Sequence, residues 1–116
     1  MDNNKNGGFV YILCDSSKDN TFKIGVTRGS IERRIKKLQT GNSGEIFITS
    51  YQKCNHPFFV EKWLHLKYFG KKVLNEWFVI NIEDIKSFKN DCKKFDELYE
   101  LTHNNRNKIS FDIDEN

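Results

Sequence analysis

No apolar stretch of this sequence approaches the roughly 18 residues that a membrane-spanning helix needs. The opening Met1-Asp2-Asn3-Asn4-Lys5-Asn6 has neither the basic nor the apolar region of a secretory signal. A soluble protein of the cell interior with no membrane partner is therefore expected. Cysteine is scarce, and Cys14, Cys54 and Cys92 are widely spaced and odd in number, which excludes a disulfide framework. Cys54-Asn55-His56 has the outline of half a zinc site, but no second ligand pair follows, so reduced thiols are expected. There is no internal repeat. No zinc finger, helix-turn-helix or second domain is expected to read bases.

Aromatic residues are plentiful. Ten Phe, four Tyr and two Trp among 116 residues supply enough large side chains for one domain with one core, and the length leaves no room for a second. The net charge is only +3, but it is unevenly spread. Between Lys18 and Lys72, Lys and Arg are opposed only by Asp19, Glu32, Glu45 and Glu61, whereas acids dominate from Asn75 onward. A basic front two-thirds suggests a polyanionic partner, of which nucleic acid is the usual one. Taken alone, the same pattern is also that of a solvated face.

Residues 1–7 are polar and expected to be disordered. Gly8 to Cys14 and Thr21 to Val26 read as strands joined by the turn-forming Asp15-Ser16-Ser17-Lys18-Asp19-Asn20, an antiparallel hairpin. Alternation puts Lys23 and Gly25 on one face, with Phe22, Ile24 and Val26 on the other. A lysine inside an apolar strand either snorkels from an edge or has its charge used in a site. Ser30 is the expected N-cap of a helix from Ile31 to Gln39, with Glu32 in its first turn. Arg34 falls beside the apolar stripe Ile31-Ile35-Leu38 and Arg33 opposite it. Glu45 to Lys53 reads as a third strand.

A central helix is expected from Pro57 to Phe69, with Pro57 in its first turn. Glu61 is its only carboxylate, and His65 lies one turn further on the same face. A surface ion pair with Lys62 or Lys67 is one reading of Glu61, and a metal ligand is the other. Asn75-Glu76 precedes a fourth short strand at Trp77 to Ile80. Asn81 caps a final helix, Ile82 to about Leu101, whose stripe from Ile82 to Tyr99 is structural packing. Residues 102–116 read as a flexible tail. The fold class is thus α/β, a small, mainly antiparallel sheet of three to four strands flanked by helices in the order β-β-α-β-α-β-α. A single domain spans residues 8–101.

Four of these features stand in a recognisable order. Phe9-Val10-Tyr11, Lys23-Ile24-Gly25, Ile31-Glu32-Arg33-Arg34-Ile35 and Glu61 together resemble the GIY-YIG nuclease superfamily. The triplets occupy the places of Gly-Ile-Tyr and Tyr-Ile-Gly, and Arg34, next to an apolar residue, that of the catalytic arginine. Glu61 matches the metal-binding glutamate and Asn75 the last polar position. Lys-Ile-Gly, Leu38-Gln39-Thr40-Gly41 and Glu76-Trp77-Phe78 are similar to the virus- and phage-borne branch, which for a viral chain means the host cytoplasm or nucleus. Phe9 and Lys23 depart from the glycine and tyrosine of the triplets.

The resemblance, covering residues 8–81, implies a DNA endonuclease that hydrolyses phosphodiester bonds with Mg²⁺ or Mn²⁺. Glu61 would hold the metal, Arg34 would neutralise the phosphoryl oxygens, and Tyr11 with Lys23 would orient or deprotonate the attacking water. His65 would assist the metal's water shell, and Asn75 would hold substrate or water. One active site cuts one strand, so nicking is expected, and monomer and homodimer both stay open. The competing readings are a DNA-binding module of the same fold without catalysis and a protein-interaction domain using the final helix. Trp77 and Phe78 are expected in the core rather than as base-stacking platforms.

Overall fold

The computed structural model describes residues 7–104. The expectations for residues 1–6 and 105–116 lie outside the described residues. The elements in chain order are β1 (Gly8–Asp15), β2 (Thr21–Thr27), α1 (Ile31–Gln39), β3 (Ile46–Cys54), α2 (Pro57–Lys67), β4 (Lys72–Leu74), β5 (Trp77–Val79) and α3 (Ile82–Tyr99). A 3-10 turn at Phe69–Lys71 follows α2, and a π-helical turn at Glu100–Asn104 follows α3.

The fold is α/β, with one five-stranded antiparallel sheet in the order β3-β1-β2-β5-β4. The three- to four-stranded expectation missed β4. Its three residues, Lys72-Val73-Leu74, are all exposed, and an edge segment so short carries no alternating pattern. The central hairpin pairs Tyr11 with Gly25 and Leu13 with Lys23. On its other side β1 pairs Tyr11 with Tyr51, and a register shift at Ile12/Leu13 bulges β3. β5 meets β2 only at residues 21–23.

Paired residues share a face, and each face has its own packing. Val10, Ile12, Ile24 and Cys54 join Val60 and Leu64 of α2, Phe78 of β5, and Phe88 and Cys92 of α3 in the main core. On the opposite face Tyr11, Leu13 and Ile46 pack under Ile35 and Leu38 of α1. α1 begins as expected, with Ser30 Oγ accepting from Arg33 N at 3.2 Å. α3 starts with a reciprocal cap: Asn81 Oδ1 accepts from Asp84 N at 2.9 Å, and Asp84 Oδ2 accepts from Asn81 N at 3.1 Å. The three cysteines are free thiols. No helix among the described residues is long and apolar enough to cross a membrane.

One buried carboxylate ties the loops together. Asp15 is 2% exposed and accepts from Ser17 N and Oγ, Lys18 Nζ and Asn42 Nδ2 at 2.6 to 3.2 Å. The Ser17 and Asn42 bonds hold its carboxyl well below the usual carboxylate range. Because Asn42 belongs to the α1–β3 loop, this network ties that loop to the end of β1.

Candidate active site on the α1 face of the central hairpin

Three neighbouring strands place Tyr51, Tyr11 and Gly25 in one row. The Tyr11 ring lies over Gly25, where a Cβ atom would stand 2.6 Å from Tyr11 Oη. Only glycine lets the ring approach the β2 backbone so closely. The ring is 1% exposed, yet its hydroxyl accepts a hydrogen bond from Arg34 Nε of α1 at 3.3 Å. The helical stripe that distinguished Arg34 from Arg33 thus has a physical counterpart: Arg34 is half-buried against the sheet and Arg33 is exposed.

Lys23 sits two residues before Gly25 on the same face, its side chain 12% exposed and its ammonium 2.8 Å from Glu76 Oε1. The Glu76 backbone carbonyl also accepts from Ile24 N at 3.1 Å. Both contacts fix Glu76 at the point where β5 leaves β2. Beyond it, α2 takes over the outer edge of β2. His65 Nε2 reaches the Ile24 carbonyl at 2.9 Å, with the ring edge-on to the buried Phe78. Glu61, one turn earlier, stands 3.9 Å from the same nitrogen.

The charges of this group act on one another. Burial pushes the Glu61 carboxyl up, opposed by His65 and reinforced by Glu76, with Lys23 and Arg34 pulling it down. Tyr11 is also raised by burial, against the pull of Arg34 and with Glu76 and Glu61 adding to it. The Arg34 guanidinium is stabilised by the Tyr11 hydroxyl and the two carboxylates. Five of the six residues singled out in the sequence, Tyr11, Lys23, Arg34, Glu61 and His65, are therefore brought together from β1, β2, α1 and α2.

Asn75 is not drawn in. It is the left-handed residue of the β4–β5 turn, φ 53°, exposed and lining an open cleft with Lys18, Leu74 and Trp77. The polar group delivered to the cluster is its neighbour Glu76, whose carboxylate accepts from Lys23. A carboxylate that opens a strand just after an Asn turn was the available signal. Phe78 is fully buried, as expected, while the Trp77 ring lies 4.3 Å from Lys18 Nζ.

Among the described residues, no group of three or more His, Cys, Asp and Glu side chains is gathered to hold a metal. What the site offers a cation is Glu61. Its side chain is 18% exposed, and no hydrogen bond from the described residues reaches its oxygens. A single, largely buried carboxylate with no hydrogen-bond donor on its oxygens could contribute one ligand to a cation such as Mg²⁺, which keeps several waters.

Comparison with known proteins corrects the resemblance drawn from the short motifs. The T5orf172 domain matches residues 8–93, a family distinct from the GIY-YIG nucleases. Two three-residue patterns, each altered at its first position, are too short to separate such families. The uncharacterized protein YeeC of Bacillus subtilis (strain 168) is 29% identical over 119 residues, covering 80% of this chain. The chain spans only 31% of the length of that relative. No solved structure matches. T5orf172 domains are associated with nuclease-like and DNA-binding modules, which supports a DNA-related role in the coarse sense. With most of its length covered by this match, the chain belongs to the T5orf172 domain family.

Proposed function

We propose that the domain is a divalent-metal-dependent DNA endonuclease that nicks one strand by hydrolysing a phosphodiester bond. The observation that carries this reading is the convergence of Tyr11, Lys23, Arg34, Glu61 and Glu76 from separate elements into one interacting group. Surface ion pairs formed by chance do not require a glycine beneath a buried tyrosine.

Glu61 is the residue that would hold a cation, Mg²⁺ or Mn²⁺, which when bound would supply charge neutralisation at the scissile phosphate and the leaving 3′-oxygen. Arg34 neutralises the non-bridging oxygens as charge builds, and its remaining forked N–H groups are free to do so while Nε is fixed by Tyr11. Burial keeps Tyr11 neutral. With one lone pair taken by Arg34, the hydroxyl retains a proton and a second lone pair to orient the attacking water. Lys23, held by Glu76, adds a positive charge for the incoming phosphate. His65 positions Glu61 by tying α2 to the Ile24 carbonyl.

The test is nicking of supercoiled plasmid by wild type and by Glu61→Gln, matched for folding by circular dichroism. Nicking that requires Mg²⁺ or Mn²⁺ and disappears in the variant supports the proposal. Equal nicking by both, or nicking that persists in a chelator, would sink it.

A further inference from the structure

Two clefts adjoin the cluster on either side of the first turn of α1, and they meet at Ser30. The first, of about 160 Å³, is lined by Arg33, Arg34 and Lys37. Three cations with no carboxylate among the lining residues make it a seat for an anion. The second, of about 250 Å³, is lined by Phe9, Ile31, Glu32, Ile48 and Tyr51. The second cleft takes no part in the hydrolytic steps, and the first shares only Arg34 with them.

The aromatic cleft is held ready rather than collapsed. Tyr51 is 47% exposed, but its ring is fixed by Phe9, edge-on with centroids 6.0 Å apart, and by Lys89 Nζ at 5.6 Å. Tyr51 also pairs with Tyr11 across β1 and β3, so it shares Tyr11's face one strand away, roughly 5 Å from backbone to backbone. An anion seat beside an aromatic slot is the combination that single-stranded nucleic acid uses, phosphate on the cations and base on the ring.

We propose that these clefts bind one unpaired nucleotide of the DNA substrate beside the scissile phosphate. Its phosphate lies against Arg33, Arg34 and Lys37, and its base stacks on Tyr51 beside Phe9. This inference rests on the DNA-cleaving reading above, and it adds a substrate class: DNA whose strand is open, or is opened, at the cut. A fully stacked duplex cannot present a base to a slot walled by Ile31 and Ile48.

The experiment is fluorescence anisotropy with a labelled 12-nucleotide single strand and a fully paired duplex, read for wild type, Tyr51→Ala and Tyr51→Phe. It is repeated with single strands abasic at each position in turn. The expected result is tighter binding of the single strand and a loss of roughly fivefold to a hundredfold in Tyr51→Ala, with Tyr51→Phe close to wild type. Removing one particular base should weaken wild type to a similar degree and leave Tyr51→Ala unchanged. Equal affinity of Tyr51→Ala and wild type, or an abasic series with no preferred position, would overturn the slot. Plasmid nicking by the same preparations separates the two ideas. Nicking with a flat abasic series removes the slot and keeps the nuclease. A positional abasic effect without nicking keeps the slot and removes the nuclease.

Discussion

The Arg34 guanidinium donates to the Tyr11 hydroxyl at 3.3 Å, joining the first helix to β1 above Gly25. The bond fixes an arginine that would otherwise sweep a wide arc from a nine-residue helix. Arg34→Ala is expected to lower the nicking rate by about 10²- to 10³-fold, the scale of losing one preorganised charge-stabilising donor. Arg34→Lys should not restore it, because an ammonium cannot hold Tyr11 and a phosphate oxygen together in the guanidinium's fork. An undiminished rate in Arg34→Ala would exclude the residue from the chemistry.

The pH dependence should belong to Glu61. Burial and then Glu76 raise its carboxyl, and only the ionised form binds a cation. Activity is expected to rise with pH on a limb lying above the ordinary carboxylate value of about 4.3. Glu76→Gln removes a neighbouring negative charge and should move that limb to lower pH. The check is a pH–rate profile of both proteins at Mg²⁺ well below saturation, and a limb that stays in place would show that another group sets it.

Gly25→Ala should be among the most damaging single-carbon additions in the chain. The new methyl would fall 2.6 Å from Tyr11 Oη, so the ring must leave its place beneath Arg34. A stability loss of about 1–3 kcal/mol is expected from such overpacking, together with a larger loss of nicking than the partial unfolding explains. Urea titration and nicking at a temperature where the variant is folded test both parts.

Asp15 should control acid stability without touching the chemistry. Its folded carboxyl is depressed by the Ser17 and Asn42 hydrogen bonds, so its contribution is complete above the unfolded value of about 3.9. As pH falls below about 4, the unfolded chain takes up the proton first and the contribution drains away until the folded carboxyl protonates. Asp15→Ala removes the acceptor shared by Ser17, Lys18 and Asn42 and should cost about 1–3 kcal/mol near neutral pH. Urea unfolding at pH 7 and pH 3 should show a gap between wild type and variant that narrows on the acid side.

Much of the frame was legible because local rules and tertiary packing agree. The Ser30 cap and the Ile31-Ile35-Leu38 stripe gave α1 its bounds, and alternation put Lys23 and Gly25 on the face that α1 covers. Glu61 stood out as the lone acid of an apolar helix, and it is the carboxylate at the cluster. Asn75 and Glu76 were exchanged because a left-handed turn residue and an inward-pointing neighbour look alike in a sequence. What separates them is the backbone angle of Asn75 and the β2–β5 register. β4 was invisible because its three residues owe their strand to pairing with β5 alone. The family assignment failed for a related reason: a triplet is too little sequence to name a lineage.

The imidazole of His65 also closes a boundary. β5 accompanies β2 for only three residues, and the next outward carbonyl, that of Ile24, is covered by His65 Nε2 rather than by another strand. An uncovered strand edge is a template on which a second chain can add. In His65→Ala that carbonyl has no partner from α2, so the variant is expected to gain a tendency to self-associate through β2. Its elution volume would then shift with concentration, and the histidine that steadies Glu61 would prove also to guard the protein against its own copies.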